Sequence, residues 1–494
     1  MQCMLRLPLF RNPAGMGPIL RILAMLLLVL SLFMLIPLGL LVLERDGQMW
    51  PFLWAFAVTF GTAVAVILLT WGVQIELRPR QMFILTTSSW VVMSAFSSLP
   101  MQFGAPRLSM ADAVFESVSA ITTTGATVLV GIEHLSDGLK LWRGLMQWVG
   151  GVGIIVMAIA VLPFLRVGGM RLFQTESSDW SDKVLPRAGT VAKAIGLVYV
   201  GFTIVSIISY WLAGMLPLDA VVHGMTSVAT GGFANYDASF GQYADNPIIL
   251  WLSILSMLTG ALPFVLYIRM ARERSGVLWK DQQVRGLLAL LMVVIALLTL
   301  YRVVRGMEFF DALTQVAFNV VSVVTTTGYA TDDYTAWGPL SAAAFFYLIF
   351  VGGCSGSTSG GMKVFRFQVG LIMLVNQLRY LVHANGVFVQ RYNGRVLTED
   401  QIRGVIAFSF FFFFTVAVLA LGLSLMGLDL ITALSGAATA VANVGPGVGD
   451  VIGPAGNFAP LPDAAKWMLS IGMLMGRLEI LTVLVLLTPT FWRK

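Results

Sequence analysis

Long apolar stretches separated by short polar segments run through almost the whole chain. Eight of them, at 22–43, 51–73, 142–165, 194–216, 247–268, 286–304, 404–426 and 467–488, reach the roughly 20 residues that an α-helix needs to cross a bilayer. Two more, at 83–103 and 341–378, are weaker: the first is rich in serine and the second is interrupted by glycine. The leading stretch is longer than a typical signal-peptide core and is followed at once by a second span, so it reads as retained. The pattern predicts an all-α polytopic membrane protein with ten transmembrane helices.

After the first two spans the pattern repeats four times. Each unit has an Asp, an apolar run of helical length, a polar turn with glycine, and another span. The Asp residues are Asp112, Asp219, Asp311 and Asp429, and the turns read Thr122-Thr123-Thr124-Gly125, Ala229-Thr230-Gly231-Gly232, Thr325-Thr326-Thr327-Gly328 and Ala442-Asn443-Val444-Gly445. From Asp to Gly the distances are 13, 13, 17 and 16 residues, too short for a crossing but enough for re-entrant helices of three to four turns. An Asp at each start is expected to cap the helix near the outer surface, leaving four partly negative C-termini aimed at one point. One Thr-Thr-Thr-Gly is an ordinary helix-terminating turn. Four in equivalent positions suggest irregular backbone lining a pore, the setting in which such backbone is tolerated at membrane depth. Rings of carbonyl oxygens, with threonine hydroxyls below them, can replace the hydration shell of an alkali cation, so a dehydrated monovalent cation is the implied substrate.

Composition supports the membrane reading. With 57% apolar and 11% charged residues the chain is far from the quarter or so of charged residues usual in soluble proteins. Most of its 31 Lys and Arg flank the spans on one side, among them Arg78, Arg80, Arg166, Arg171, Arg187, Arg272, Arg274, Lys280, Arg391 and Arg395, which makes that side cytoplasmic and puts both termini there. The opposite loops hold Arg45, Arg107, Lys140, Arg143, Arg302, Arg305 and Lys466 against sixteen of 25 acids, an acidic outer face that concentrates cations. The net charge of +6 is then a topology signal and calls for no nucleic acid. Cys3 and Cys354 offer neither a disulfide framework nor a metal site, and His134, His223 and His383 are scattered singly.

In these motifs the sequence resembles the Trk/Ktr/HKT superfamily of potassium transporters, specifically its TrkH/TrkG type, over nearly its whole length. The resemblance implies two leading helices (1–75) and four membrane-pore-membrane repeats at 76–175, 176–275, 276–385 and 386–494. It implies a potassium-binding selectivity filter built from Thr123, Thr124, Gly125, Thr230, Gly231, Gly232, Thr326, Thr327, Gly328, Asn443, Val444 and Gly445. All four glycines are present, which favours potassium over sodium; Gly231 and Val444 replace threonine, so the filter is expected to be less symmetric than that of a tetrameric channel. The function implied is potassium uptake across a prokaryotic inner membrane, without enzymatic activity or cofactor, by a homodimer joined to a cytosolic TrkA-type nucleotide-binding regulatory subunit. The basic segments 269–285 and 379–403 either dock that subunit or are topology signals only.

Residues 352–361, Gly-Gly-Cys-Ser-Gly-Ser-Thr-Ser-Gly-Gly, cannot hold a regular helix. Gly356 and Gly361 have the spacing of a phosphate-binding loop, but Met362 occupies the lysine position, Lys363 comes one residue late, and no strand precedes. The run is either a passive kink or, as the resemblance implies, an intramembrane gating loop containing Gly352, Gly353, Gly356, Gly360, Gly361 and Lys363. Arg477 lies within the last span, where a charge costs about 2.5 to 3.5 kcal/mol. Glu479 points to another face, leaving either an ion pair with a different group or a pore-facing charge that acts as barrier or loop anchor. A sodium- or proton-coupled secondary carrier is the alternative, since carriers also use broken helices and repeats.

Overall fold

The computed structural model describes residues 15–75, 77–160, 188–273 and 276–493. Cys3, Arg166, Arg171, Arg187 and Arg274, and the boundaries drawn at 76, between 175 and 176, and at 275, lie outside the described residues. The chain is mostly helical. The apolar stretches form α1 (Met16–Glu44), α2 (Met49–Leu69), α3 (Pro79–Ser97, continued by Leu99–Phe103), α5 (Asp137–Ala160), α6 (Ala188–Leu212), α8 (Pro247–Ala261) with α9 (Phe264–Glu273), α10 (Gln282–Val304), α12 (Pro339–Leu348), α13 (Val364–Val382), α14 (Glu399–Leu425), and α16 (Asp463–Arg477) with α17 (Ile480–Leu486). Among the described residues six helices are long and apolar enough to cross a membrane, or eight if each bent pair counts as one span. Much of their apolar surface faces outward, as Leu197, Leu297, Phe410 and Leu425 do, which suits helices solvated by lipid.

Four shorter helices lie between them: α4 (Met110–Ile121), α7 (Pro217–Val228), α11 (Phe309–Val324) and α15 (Leu430–Ala442). Their buried positions are not a stripe with the helical period. Phe115–Ile121, Val222–Val228, Val316–Val324 and Ser435–Ala442 are buried without interruption, because each helix runs end-on into the centre of the protein. Besides its own flanking helices, α4 packs on α16, α7 on α5, and α11 on α8. Each of these three is therefore held by a helix that follows a different one of the four turns.

The expected Asp caps form only once. Asp429 caps α15 by accepting from the Thr432 N–H at 3.0 Å, and the hydrogen bonds from Thr432 hold its carboxyl below the usual aspartate range. The other three short helices begin earlier than expected, with Ser109, Leu216 and Glu308 at the cap and Asp112, Asp219 and Asp311 inside the first turn. The acid still faces the positive end of the helix dipole there, and its carboxylate is free for tertiary bonds. Asp112 pairs with Lys466 at 2.6 Å, and Asp219 accepts from Asn235, Tyr236 and Tyr243 at 2.7, 2.7 and 2.9 Å.

Three other expectations are corrected. Stretches 247–268 and 467–488 are not straight spans: α8 and α9 meet at 91°, and α16 and α17 at 111°. The first break falls at Leu262-Pro263, where proline forces the preceding residue out of the helix. Arg143 and Lys466 are not loop residues but buried side chains within α5 and α16. The described residues also include one β-hairpin, β1 (Arg391–Tyr392) with β2 (Arg395–Val396), a small departure from an all-α chain.

Candidate functional site

The four short helices end in turns of one backbone form. Two residues before each glycine the chain is left-handed, with φ of 51° at Thr123, 48° at Thr230, 59° at Thr326 and 55° at Asn443. The glycines follow with φ of 88° at Gly125, 84° at Gly232, 87° at Gly328 and 102° at Gly445. A left-handed residue bearing a side chain costs about 1 to 2 kcal/mol, so four at corresponding places mark a geometry that the surrounding protein enforces.

The turns also meet. A methyl group on Gly125 would overlap the carbonyl oxygen of Gly231; on Gly232, that of Thr327; and on Gly328, that of Val444. On Gly445 it would come within 2.8 Å of the oxygen of Thr124. Each turn thus presses a carbonyl against the glycine of the turn before it, and the order first to second, second to third, third to fourth, fourth to first closes a ring. All four glycines line one cavity of about 70 Å³, with Arg143, Asp237 and Asn457 among its other lining residues. Every residue from Thr122 to Thr124, from Ala229 to Gly232, from Thr325 to Thr327 and from Ala442 to Val444 is buried. Thr123 Oγ1 and Asn443 Oδ1 are buried without a hydrogen-bond partner.

The glycine-rich run sits against the helix C-termini that end in this ring. Thr358 Oγ1 donates to Val228 O at 3.1 Å and accepts from Thr230 Oγ1 at 3.1 Å, while Ser359 Oγ donates to Thr325 O at 2.7 Å. Gly360 N–H donates to Thr326 Oγ1 and Gly361 N–H to Ala442 O, both at 2.7 Å. Carbonyls that a helix end leaves unpaired are thereby satisfied by the run. Glycine is required at 360 and 361 by close approach, since a methyl at either would strike the backbone of Ala442 or Gly352. Gly353 packs against Ser359, Gly352 and Gly356 take φ of 74° and 75°, and Lys363, with φ 69°, is the buried cap of α13. The other side of the run fills the α8–α9 break: Cys354 N–H donates to Ala261 O at 3.0 Å, Thr358 N–H to Gly260 O at 3.1 Å, and Phe264 N–H to Gly356 O at 3.0 Å.

Arg477 ends α16 at the second break and donates from Nη1 to Thr358 O at 2.9 Å; its Nε and Nη2 are buried without a partner. Glu479 does turn elsewhere, to Arg366 at 2.5 Å. Sequence reasoning missed Arg366 and a cluster beside the second turn. Glu116 of α4 pairs with Arg143 of α5 at 2.9 Å, and Arg143 Nη1 donates to Ala234 O at 3.1 Å. One turn along α5, Gln147 binds the backbone on both sides of Gly232. The available signal was a Glu inside an apolar re-entrant run and an Arg and Gln four residues apart at the head of a span.

A model of the TrkH family, described as cation transport protein, matches residues 52–494. The chain is similar to the Trk system potassium uptake protein TrkI of Halomonas elongata, with 67% identity over 97% of each chain. It is 37% identical to the Trk system potassium uptake protein TrkH of Vibrio parahaemolyticus over 96% of this chain and 99% of that one. The crystal structure of the potassium transporter TrkH from Vibrio parahaemolyticus superposes with a TM-score of 0.88 at 35% identity, covering 97% of this chain and 99% of that one. With four glycine turns joined in a ring and a match along nearly its full length, the chain belongs to the TrkH family of cation transport proteins.

Proposed function

We propose that this chain takes up potassium across a prokaryotic inner membrane and that the ring of turns is its selectivity filter. The observation that carries this reading is the closed order of contacts among the four turns, in which each glycine lies against the carbonyl of Thr124, Gly231, Thr327 or Val444 of a neighbouring turn. Carbonyl dipoles can replace the hydration shell of potassium without a fixed negative charge, and four helix C-termini add partial negative charge at the same depth. The partnerless oxygens of Thr123 and Asn443 are the kind of buried polar atom that a desolvated cation satisfies. The names of the relatives as potassium uptake proteins support potassium as the ion.

In this reading the chain crosses the bilayer ten times, as a leading pair and four membrane-pore-membrane repeats, with both termini cytoplasmic. The run 352–361 is the gate, lying under the filter and held shut by its bonds to the helix ends and by Arg477. Potassium is cargo, and no cofactor is involved. A homodimer and a cytosolic TrkA-type subunit, docked on the basic segments 269–285 and 379–403, complete the system. Rubidium uptake by purified protein in liposomes tests the reading. Uptake is expected down a rubidium gradient alone, without a pH or sodium gradient, and Gly232→Ser is expected to reduce it at least tenfold, because any Cβ there displaces the Thr327 carbonyl. Uptake that requires a coupled proton or sodium gradient would favour a carrier; uptake untouched by Gly232→Ser would remove the filter.

A further inference from the structure

The four turns are not held in the same way. The first and third are braced from within, Thr122 Oγ1 to Thr124 Oγ1 at 2.7 Å and Thr325 Oγ1 to Thr327 Oγ1 at 2.8 Å. The second and fourth have no hydroxyl at those places, where Ala229 with Gly231 and Ala442 with Val444 stand instead. The fourth is held by Asn443 Nδ2, which donates to Thr124 Oγ1 at 3.0 Å and to Met473 O at 2.9 Å. The second is held from outside its own segment by Gln147 of α5.

The Gln147 side chain is fully buried. Its Nε2 donates to Gly231 O at 2.5 Å, and its Oε1 accepts from the Phe233 N–H at 3.1 Å. Because a backbone carbonyl can only accept and a backbone N–H can only donate, the orientation of the carboxamide is fixed. A methyl group on Gly231 would overlap this carboxamide. The glycine at 231 and the glutamine at 147 are thus one packing solution: the residue that lost its hydroxyl made room for an external clamp on both flanks of Gly232. Gly231 O is also the carbonyl that lies against Gly125 in the ring, and the clamp holds it through a hydrogen bond to its oxygen.

We propose that Gln147 is a positioning residue that sets the discrimination of the ring between potassium and the smaller sodium ion. This rests on the reading of the ring as the filter. Sodium is coordinated well only if the oxygens close inward, and a carbonyl whose oxygen is tethered to a buried side chain resists that collapse. The clamp already engages Gly231 O, so the position of this carbonyl depends on its support.

The test is sodium competition against rubidium uptake by purified protein in liposomes. Gln147→Glu keeps the size and the acceptor for Phe233 N–H but has no donor for Gly231 O, and Gln147→Ala removes both bonds. Each is expected to make sodium inhibit at roughly 3- to 10-fold lower concentration, the scale of one lost buried hydrogen bond, while maximal rubidium uptake falls less. Gly231→Ala alone is expected to impair uptake by collision with Gln147 and to be better tolerated with Gln147→Ala, a non-additive pair. Unchanged sodium inhibition in Gln147→Glu, or an equal loss of transport for both ions with Gly231→Ala additive, would overturn the proposal. The filter reading fails separately, if Gly232→Ser leaves wild-type uptake and selectivity intact.

Discussion

Arg477 concentrates the energetic tension of the site in one side chain. In the filter reading a guanidinium buried close to the ring repels the cation that the ring attracts, and three observations fix its situation: no carboxylate pairs with it among the described residues, Nη1 holds Thr358 O, and Nε and Nη2 hold nothing. Both candidate roles, barrier and anchor, therefore come from the same atom set. Arg477→Ala removes the charge and frees the loop carbonyl, and uptake is expected to rise about tenfold or more, since a hydrogen bond from a charged donor contributes roughly 1.5 to 3 kcal/mol. A fall in uptake at unchanged protein level, measured in the same liposomes, would show that the arginine supports conduction instead. The turn residues and Arg477 were legible in the sequence because each announces itself locally, as Thr-Thr-Thr-Gly or as a charge in an apolar run. Gln147 was not legible, because its meaning lies in Gly231, 84 positions away.

The broken helices have a shared logic at the scale of elements. The α8–α9 break and the run 352–361 satisfy one another, Ala261 O and Gly260 O taking N–H groups from the run and Gly356 O taking one back from Phe264. Neither could be unpaired in a bilayer without partners, because an unsatisfied peptide group costs several kcal/mol in hydrocarbon. The run thus has a binding face on each side: helix C-termini above, a broken helix beside it. Each of its bonds contributes about 1 kcal/mol net when its groups find other partners, and the proposed gate requires such an exchange as the run moves. Shortening residues 354–360 is expected to raise rubidium flux severalfold in vesicles; unchanged flux would leave the segment a kink. The glycine run was readable because five glycines in ten residues exclude a helix. Pro263 carried the same information and went unread among its apolar neighbours. The break after Arg477 has only Gly476, inside the last turn, to mark it; Glu479 takes φ 59° there and reaches the distant Arg366.

For the molecule as a whole, the order in which the pieces touch matters more than their number. Helix α5 supports the second turn, α8 packs on the helix leading to the third, and α16 on the helix leading to the first. These helices reach forward to the next turn while that turn's carbonyl reaches back to the glycine before it, so the outer packing and the inner ring join the same neighbours. Sequence spacing marked the four turns and the short helices before them, but helical ends and bends depend on contacts between distant segments, and ring closure joins segments as far apart as Thr124 and Asn443, 319 positions. The account stands on the centre of that ring being a cation site. Anomalous diffraction from crystals grown in rubidium measures this directly. A rubidium peak on the axis among the carbonyl oxygens of Thr124, Gly231, Thr327 and Val444 is the expected result; a ring without rubidium, in protein that still carries rubidium across a membrane, would contradict it.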